Sequence, residues 1–340
     1  MKFAVLNVIA LSFVGALAPQ AASAQEAERH IMAAGAGSTQ GLIAKDIAGL
    51  GDRCGLPLSV VSSKGALESF FGVRNRHNTQ FGIVDSDLLN YLNSYKTESA
   101  DVRAAVQGMR IMLPLYDAEV HVLAPANIRT LQDLRGKRIG VGEKDSTAYL
   151  TSQLMFDILR IPVAERVTGT TDEMIELLRQ GEIDAMIRVA GAPVEALADR
   201  RIDDTFHLVP ITEELLRASY KQVTIPAGMY PYQRSPVQTV AVKTLLMTYE
   251  YGTGKNAYYN TACKAVADFT NLVVDNIDEL RRTGHPKWKD IDLTEVPKGW
   301  EVGMCVRKGL DPTYKVSCTN TVDDVGNNEY LQLLEQHLKR

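Results

Sequence analysis

After residue 24 the sequence has no run long and apolar enough to span a bilayer, so the rest of the chain is expected to be soluble. It has no surplus of basic residues either. Its 37 Lys and Arg stand against 41 Asp and Glu and are scattered rather than massed, which argues against nucleic acid as a partner. Only four cysteines occur and none forms a C-x-x-C, which leaves a zinc or thiol-redox centre little support. Catalytic signatures are missing too: there is no H-E-x-x-H and no G-x-S-x-G, and the six histidines are dispersed. His121, in a strand beside Asp117 and Glu119, reads as a structural histidine. No enzymatic activity and no cofactor are expected.

What is present begins with an export signal. Met1-Lys2 gives the positive start, and Phe3 to Ala18 is apolar except for Asn7, Ser12 and Gly15. Ala22-Ser23-Ala24 supplies the small residues of a cleavage site, so the cut is expected after Ala24. The alternative, an uncleaved anchor, is opposed by a run shorter than the roughly 20 apolar residues a span needs. Export permits disulfides, and Cys54, Cys263, Cys305 and Cys318 allow three connectivities. Cys305 with Cys318 is the favoured pairing, because it staples a helix-poor tail.

The first half alternates short strands and helices, the mark of an α/β protein with mostly parallel strands. Strands are expected at His30–Ala34, Leu58–Val61, Phe81–Val84, Glu119–Leu123, Arg138–Val141 and Ile183–Val189, with 222–229 extended. Helices are expected at Thr39–Leu50, Asp87–Leu92, Ser146–Leu159 and Thr171–Gln180, with another around Leu67–Phe71 and a short one at Thr130–Leu134. The last stretch reads as mainly helical, at Val237–Met247, Tyr258–Val274, Ile277–Arg282 and Tyr330–Leu338, with an irregular segment over Pro286–Asp323. The order gives an α/β unit, a second one inserted into it, and a return. Two lobes follow: residues 25–124 with 222–340, and residues 125–221, joined by two crossings that make a hinge.

Four strand-to-helix loops share one design: Gly35 to Gly41, Ser62 to Ala66, Asp85 to Asp87, and Gly142 to Ala148. Each brings free N–H groups and hydroxyls to a helix N-terminus, where the dipole favours an anion. In an open α/β sheet such loops gather outside the carboxyl ends of the strands. Simple N-capping explains any one of them; four together point to a cleft for a small anion. The first loop is not a dinucleotide fingerprint, since Gln40 stands where the third glycine belongs.

On these segments the chain resembles the TAXI family, the solute-binding subunits of a class of tripartite ATP-independent periplasmic (TRAP) transporters. The resemblance is carried by Gly35–Gly41, Ser62–Leu67, "GIVDSDLL" at Gly82–Leu89 and "LYDAEVHVLA" at Leu115–Ala124. It continues through "LQDLRGKRIGVGEKDSTAYLTS" at Leu131–Ser152, "GEIDAMIRVAGAP" at Gly181–Pro193 and "IPAGMYP" at Ile225–Pro231. It implies a type II periplasmic-binding-protein fold, α/β with a ligand cleft between two hinged lobes. It also implies a periplasmic monomer that hands a small carboxylate, glutamate-like or a C4–C5 dicarboxylate, to a TRAP-type permease. A periplasmic sensor feeding a membrane signalling partner is the alternative.

By position, Ser38, Thr39, Ser63, Lys64, Gly65, Ala66, Asp87, Ser146, Thr147, Ala148 and Tyr230 fall on ligand-contacting segments. The chain departs from the family pattern at Lys64 and Ala66, and at Asp145-Ser146-Thr147-Ala148, where relatives read Gly-Ser-Gly-Thr. Arg188 is added as a candidate bidentate carboxylate clamp. A surface arginine, or a salt bridge from Arg188 to Asp145, is the competing reading.

Overall fold

A computed structural model describes residues 29–318 apart from 77, 97 and 253–255. The expected signal segment and the helix at Tyr330–Leu338 lie outside the described residues. The chain opens with β1 (His30–Ala33), α1 (Thr39–Arg53), β2 (Ser59–Ser62), α2 (Ala66–Asn75), β3 (Thr79–Asp85) and α3 (Leu88–Tyr95). After α4 (Ala100–Gly108), β4 (Met109–Pro125) leads out of this first half. The second half holds β5 (Arg138–Gly140), α5 (Thr147–Leu159), β6 (Glu165–Val167), α6 (Thr171–Gln180) and β7 (Ala185–Ala190). It continues with β8 (Phe206–Leu208), α7 (Glu214–Ser219) and β9 (Lys221–Ile225). β10 (Val237–Tyr249) then returns the chain to the first half, which is completed by α8 (Ala257–Asp275), α9 (Ile277–Thr283) and α10 (Met304–Leu310).

The strands form one mixed sheet in the order β2-β1-β3-β10-β4-β7-β5-β6, with β8 added on β4 and β9 on β10. β1 pairs parallel with β2 and β3, and β5 pairs parallel with β6 and β7. Between these two parallel groups lie β4 and β10, antiparallel to each other from Tyr249↔Met109 to Ala241↔Glu119. β4 has 17 residues and reaches roughly 55 Å, at about 3.3 Å per residue. One continuous strand pair therefore serves both halves. The α/β, two-lobed arrangement is the expected one, but the sheet is mixed rather than mostly parallel, because the long β4 and β10 run antiparallel to their neighbours.

β10 corrects an expectation. The sequence predicts helix over Val237–Met247, and the structure has a central strand there. Its interior residues are buried from Thr239 to Thr248, because both faces are covered and both edges are paired. Such a strand has no polar alternation to distinguish it from a buried helix. The β-branched content of Val-Gln-Thr-Val-Ala-Val was the signal that favoured strand.

The disulfides correct another. Cys54 pairs with Cys318, and Cys263 with Cys305; Cys305–Cys318 does not form. α10 lies directly on α8, so close that a Cβ on Gly309 would stand 2.3 Å from the Ala267 carbonyl oxygen. That packing points Cys305 at Cys263 on α8. The tail then runs on to the end of α1, where Cys318 meets the capping residue Cys54. The tail is also less irregular than expected, since it contains α10 and a 3-10 turn at Pro286–Asp290.

Candidate functional site

A cleft of about 1160 Å³ opens between the halves at the strand ends. Three of the four expected loops line it, together with a single residue of the Asp85–Asp87 turn. From the first half come Ala34–Gln40 ahead of α1, Ser63–Ala66 ahead of α2, and Asp85 at the end of β3. From the second half come Gly142, Glu143, Ser146 and Thr147 ahead of α5, and Gly169, Thr171 and Asp172 at the start of α6. Arg188–Ala190 of β7 and the Pro193–Arg200 segment complete that wall. Four helix N-termini thus converge on one space, each a source of N–H groups and positive dipole.

The caps are partly occupied by the protein itself. Ser38 Oγ accepts from the Gly41 N–H at 3.1 Å, and Ser146 Oγ from the Tyr149 N–H at 3.3 Å. In the second loop Glu68 reaches back and accepts the Lys64 N–H at 2.6 Å, so α2 already carries a carboxylate at its start. Ser63 Oγ is 2.8 Å from Ser69 Oγ, and the Lys64 side chain is exposed at the mouth. Thr170 and Glu173 close a capping box on α6. The α1 and α5 ends are therefore the ones best able to serve a ligand.

The floor carries the charge. Asp85 is buried and takes three donors: Thr244 Oγ1 at 2.8 Å, Gln40 Nε2 at 3.2 Å, and Thr147 Oγ1 from across the cleft. Burial raises its pKa; the threonine hydroxyls, Arg188 and Gln40 pull against that. Arg188 stands opposite on β7, in register with His121 of β4. Among the described residues it has no ion pair, and its Nε is buried with no hydrogen-bond partner. Burial lowers its pKa, while Tyr116, Asp85 and Glu143 act in the opposite direction. Other charges at the cleft are committed or solvated: Asp172 and Asp199 share Arg201 at 2.5 and 2.9 Å, and Glu143, Glu195 and Arg200 are exposed. Among the described residues no His, Cys, Asp and Glu cluster is arranged to hold a metal ion. No helix among them is long and apolar enough to cross a membrane. A half-buried cation without an ion pair, ringed by N–H donors, is an arrangement that an anion completes.

A profile of the NMT1-like family matches residues 31–299, which takes in both halves and every wall of this cleft. The chain belongs to the NMT1-like family. Among solved structures, this NMT1-like chain is similar to a TctC solute binding protein from Polaromonas, with 14% identity, 76% of this chain and 89% of that one covered, and a TM-score of 0.42. It is also similar to the GluR0 ligand-binding core from Nostoc punctiforme in complex with L-glutamate (11% identity, 77% and 95% covered, TM-score 0.44). A third likeness is PhnD1 from Prochlorococcus marinus in complex with methylphosphonate (10% identity, 79% and 89% covered, TM-score 0.47). Likenesses this distant say nothing of what this NMT1-like chain binds.

Of the residues singled out from the sequence, Ser38, Thr39, Ser63, Lys64, Gly65, Ala66, Ser146, Thr147 and Arg188 line the cleft of the NMT1-like fold. Asp87, Ala148 and Tyr230 do not. Asp87 turns away to accept Thr151 Oγ1 at 2.6 Å, and Ala148 is fully buried under the first turn of α5. Tyr230 is fully buried behind the cleft. Its hydroxyl donates to His121 Nε2 at 2.8 Å and accepts the Val194 N–H at 3.0 Å. The Glu119 carbonyl takes the His121 Nδ1–H at 3.0 Å, and burial lowers the His121 pKa to about 4, so the ring is neutral and structural.

Arg188 resolves differently from either competing reading: it neither lies at the surface nor pairs with Asp145. Sequence reasoning missed Gln40, Tyr116 and the Pro193–Arg200 wall, and it used Asp85 only as part of a turn. The pattern Asp85-Ser86-Asp87 held the clue to Asp85, a carboxylate closing a wholly buried strand. Tyr116 sits mid-strand in a long apolar run and had no signal of its own.

Proposed function

We propose that the chain is an exported, periplasmic solute-binding protein of the TAXI type. It captures a small carboxylate, glutamate-like or a C4–C5 dicarboxylate, for a TRAP-type secondary transporter. The observation that carries this reading is Arg188, a half-buried guanidinium with no ion pair among the described residues and a buried Nε without a hydrogen-bond partner, at the floor of a cleft ringed by helix N-termini. A ligand carboxylate there gains two parallel charge-assisted hydrogen bonds from one rigid fork. Ser38, Thr39, Ser63, Ser146 and Thr147 supply hydroxyls and N–H groups around it, Gly65 and Ala66 let the backbone approach, and Lys64 at the mouth meets a second charge.

In this reading the lobes are residues 25–124 with 222–340, and residues 125–221. The β4 and β10 strands absorb the rotation that closes them, and the closed form is what the permease recognises. The test is a thermal-shift panel in carboxylate-free buffer, comparing dicarboxylates, glutamate and keto acids with their neutral amides. A concentration-dependent rise confined to carboxylates is expected, because a ligand that binds only the folded state stabilises it by mass action. Equal responses to acids and amides would overturn the anion assignment.

A further inference from the structure

α5 faces both halves at once. Ala148, Met155 and Phe156 are buried in the large core cluster that holds Ile139, Val141 and Ala185 of the second half. On another face, at helical spacing, stand Thr147, Leu150, Thr151 and Leu154. Leu150 and Leu154 are buried in the same core cluster as Leu67, Phe70 and Tyr91 of the first half. The two threonines of that face each donate to a buried carboxylate of the β3–α3 turn: Thr147 to Asp85, and Thr151 to Asp87. Asp87 is 3% exposed and Thr151 0%, and neither lines the cleft.

The approach is tight at the rim as well. Gly65 has φ +156°, and a Cβ there would stand 2.5 Å from the Asp145 carbonyl oxygen and 2.7 Å from Ser146 Cα. Only glycine admits the start of α5 this close. Two hydroxyl–carboxylate bonds, two leucines and one glycine seat thus join the N-terminal turns of a second-half helix to the first half.

We propose that this face of α5 is the latch that holds the cleft shut. Thr151 and Asp87 are positioning residues that govern retention of the bound solute without touching it. The consequence for solute rests on the binding reading above; the effect on geometry does not. A carboxylate hydrogen bond inside a buried seam is worth enough that its loss releases the closed state about tenfold. A ligand that needs the closed state then binds about tenfold more weakly, chiefly through faster release.

The experiment measures the separation of the halves by double electron–electron resonance, with non-natural spin-labelled residues replacing Lys45 and Glu182, so that the disulfides are untouched. It is run with no solute added. Thr151→Val is expected to shift the distance distribution outward, Thr151→Ser to match the wild type, and Arg188→Gln to leave the distribution unchanged. Gly65→Ala, which adds a methyl at the rim, gives a second route to the same opening should Thr151→Val fold poorly. Distributions for Thr151→Val or Gly65→Ala that superimpose on the wild type would overturn the latch. Variants that open while the wild type binds no carboxylate would keep the latch and sink the binding reading instead.

Discussion

Asp87 makes the fold's stability depend on pH in a direction that can be worked out beforehand. Its carboxyl is buried, accepts one hydroxyl, leaves Oδ1 without a partner and lies beside Asp85. Burial first, then the neighbouring negative charge, hold its pKa at about 7 instead of 3.8, against the pull of Thr151. Because the folded value lies above the unfolded one, the stability tied to the protonated carboxyl is complete below about pH 4 and is lost as pH rises through 7. At about 1.4 kcal/mol per pKa unit the whole loss is about 4 kcal/mol, of which about 3 kcal/mol falls between pH 5 and pH 8. Asp87→Asn keeps an acceptor for Thr151 and removes the titration. Thermal unfolding in buffers free of acetate and citrate should show the variant gaining on the wild type from pH 5 to pH 8, by about 6 °C at roughly 2 °C per kcal/mol for a chain of this size. Parallel pH curves for the two proteins would refute the reasoning.

Further predictions rest on other buried groups. Replacing Cys263 and Cys305 together by Ala should cost about 4 kcal/mol, the loop-closure value for a 42-residue separation, read by urea unfolding. Non-reducing peptide maps should return Cys54–Cys318 and Cys263–Cys305. Tyr230→Phe removes the hydroxyl between His121 and Val194 and should cost about 2 kcal/mol of stability while leaving solute affinity unchanged. A tenfold loss of affinity would place Tyr230 at the site after all. Lys287→Met strands Glu119, whose buried carboxylate now meets Lys287 Nζ at 2.6 Å and the Ala192 N–H at 2.7 Å. The cost should be about 3 kcal/mol or more at pH 8. It should be smaller at pH 5, since burial raises the Glu119 pKa and the stranded group then takes up a proton.

The sequence revealed most where local chemistry decides. α1 and α5 begin where Ser38 and Ser146 cap them, and α6 spans Thr171–Gln180 as its Thr170 cap and Gly181 stop require. The loops ahead of α1, α2 and α5 were legible for the same reason, and so was the alternation that makes an α/β sheet. It revealed least where the answer lies in what packs on both sides. β10 is apolar on both faces and so carries no period, and the Cys263–Cys305 link depends on α10 settling on α8. Asp87 and Tyr230 sit on the right segments but turn inward, because Thr151 in one case and His121 in the other offer a buried partner. Arg188 was legible as a candidate, while its isolation from Asp145 came only from the fold.

The central claim is that Arg188 receives a carboxylate. The direct measurement is a calorimetric titration of wild type and Arg188→Gln with the acid that gives the largest thermal shift. Losing one partner of a buried charge pair costs about 2–5 kcal/mol, so affinity should fall at least about 30-fold. The solute-free variant should unfold no earlier than the wild type, since it no longer buries an unpaired guanidinium Nε. Equal affinity in the two proteins would contradict the account.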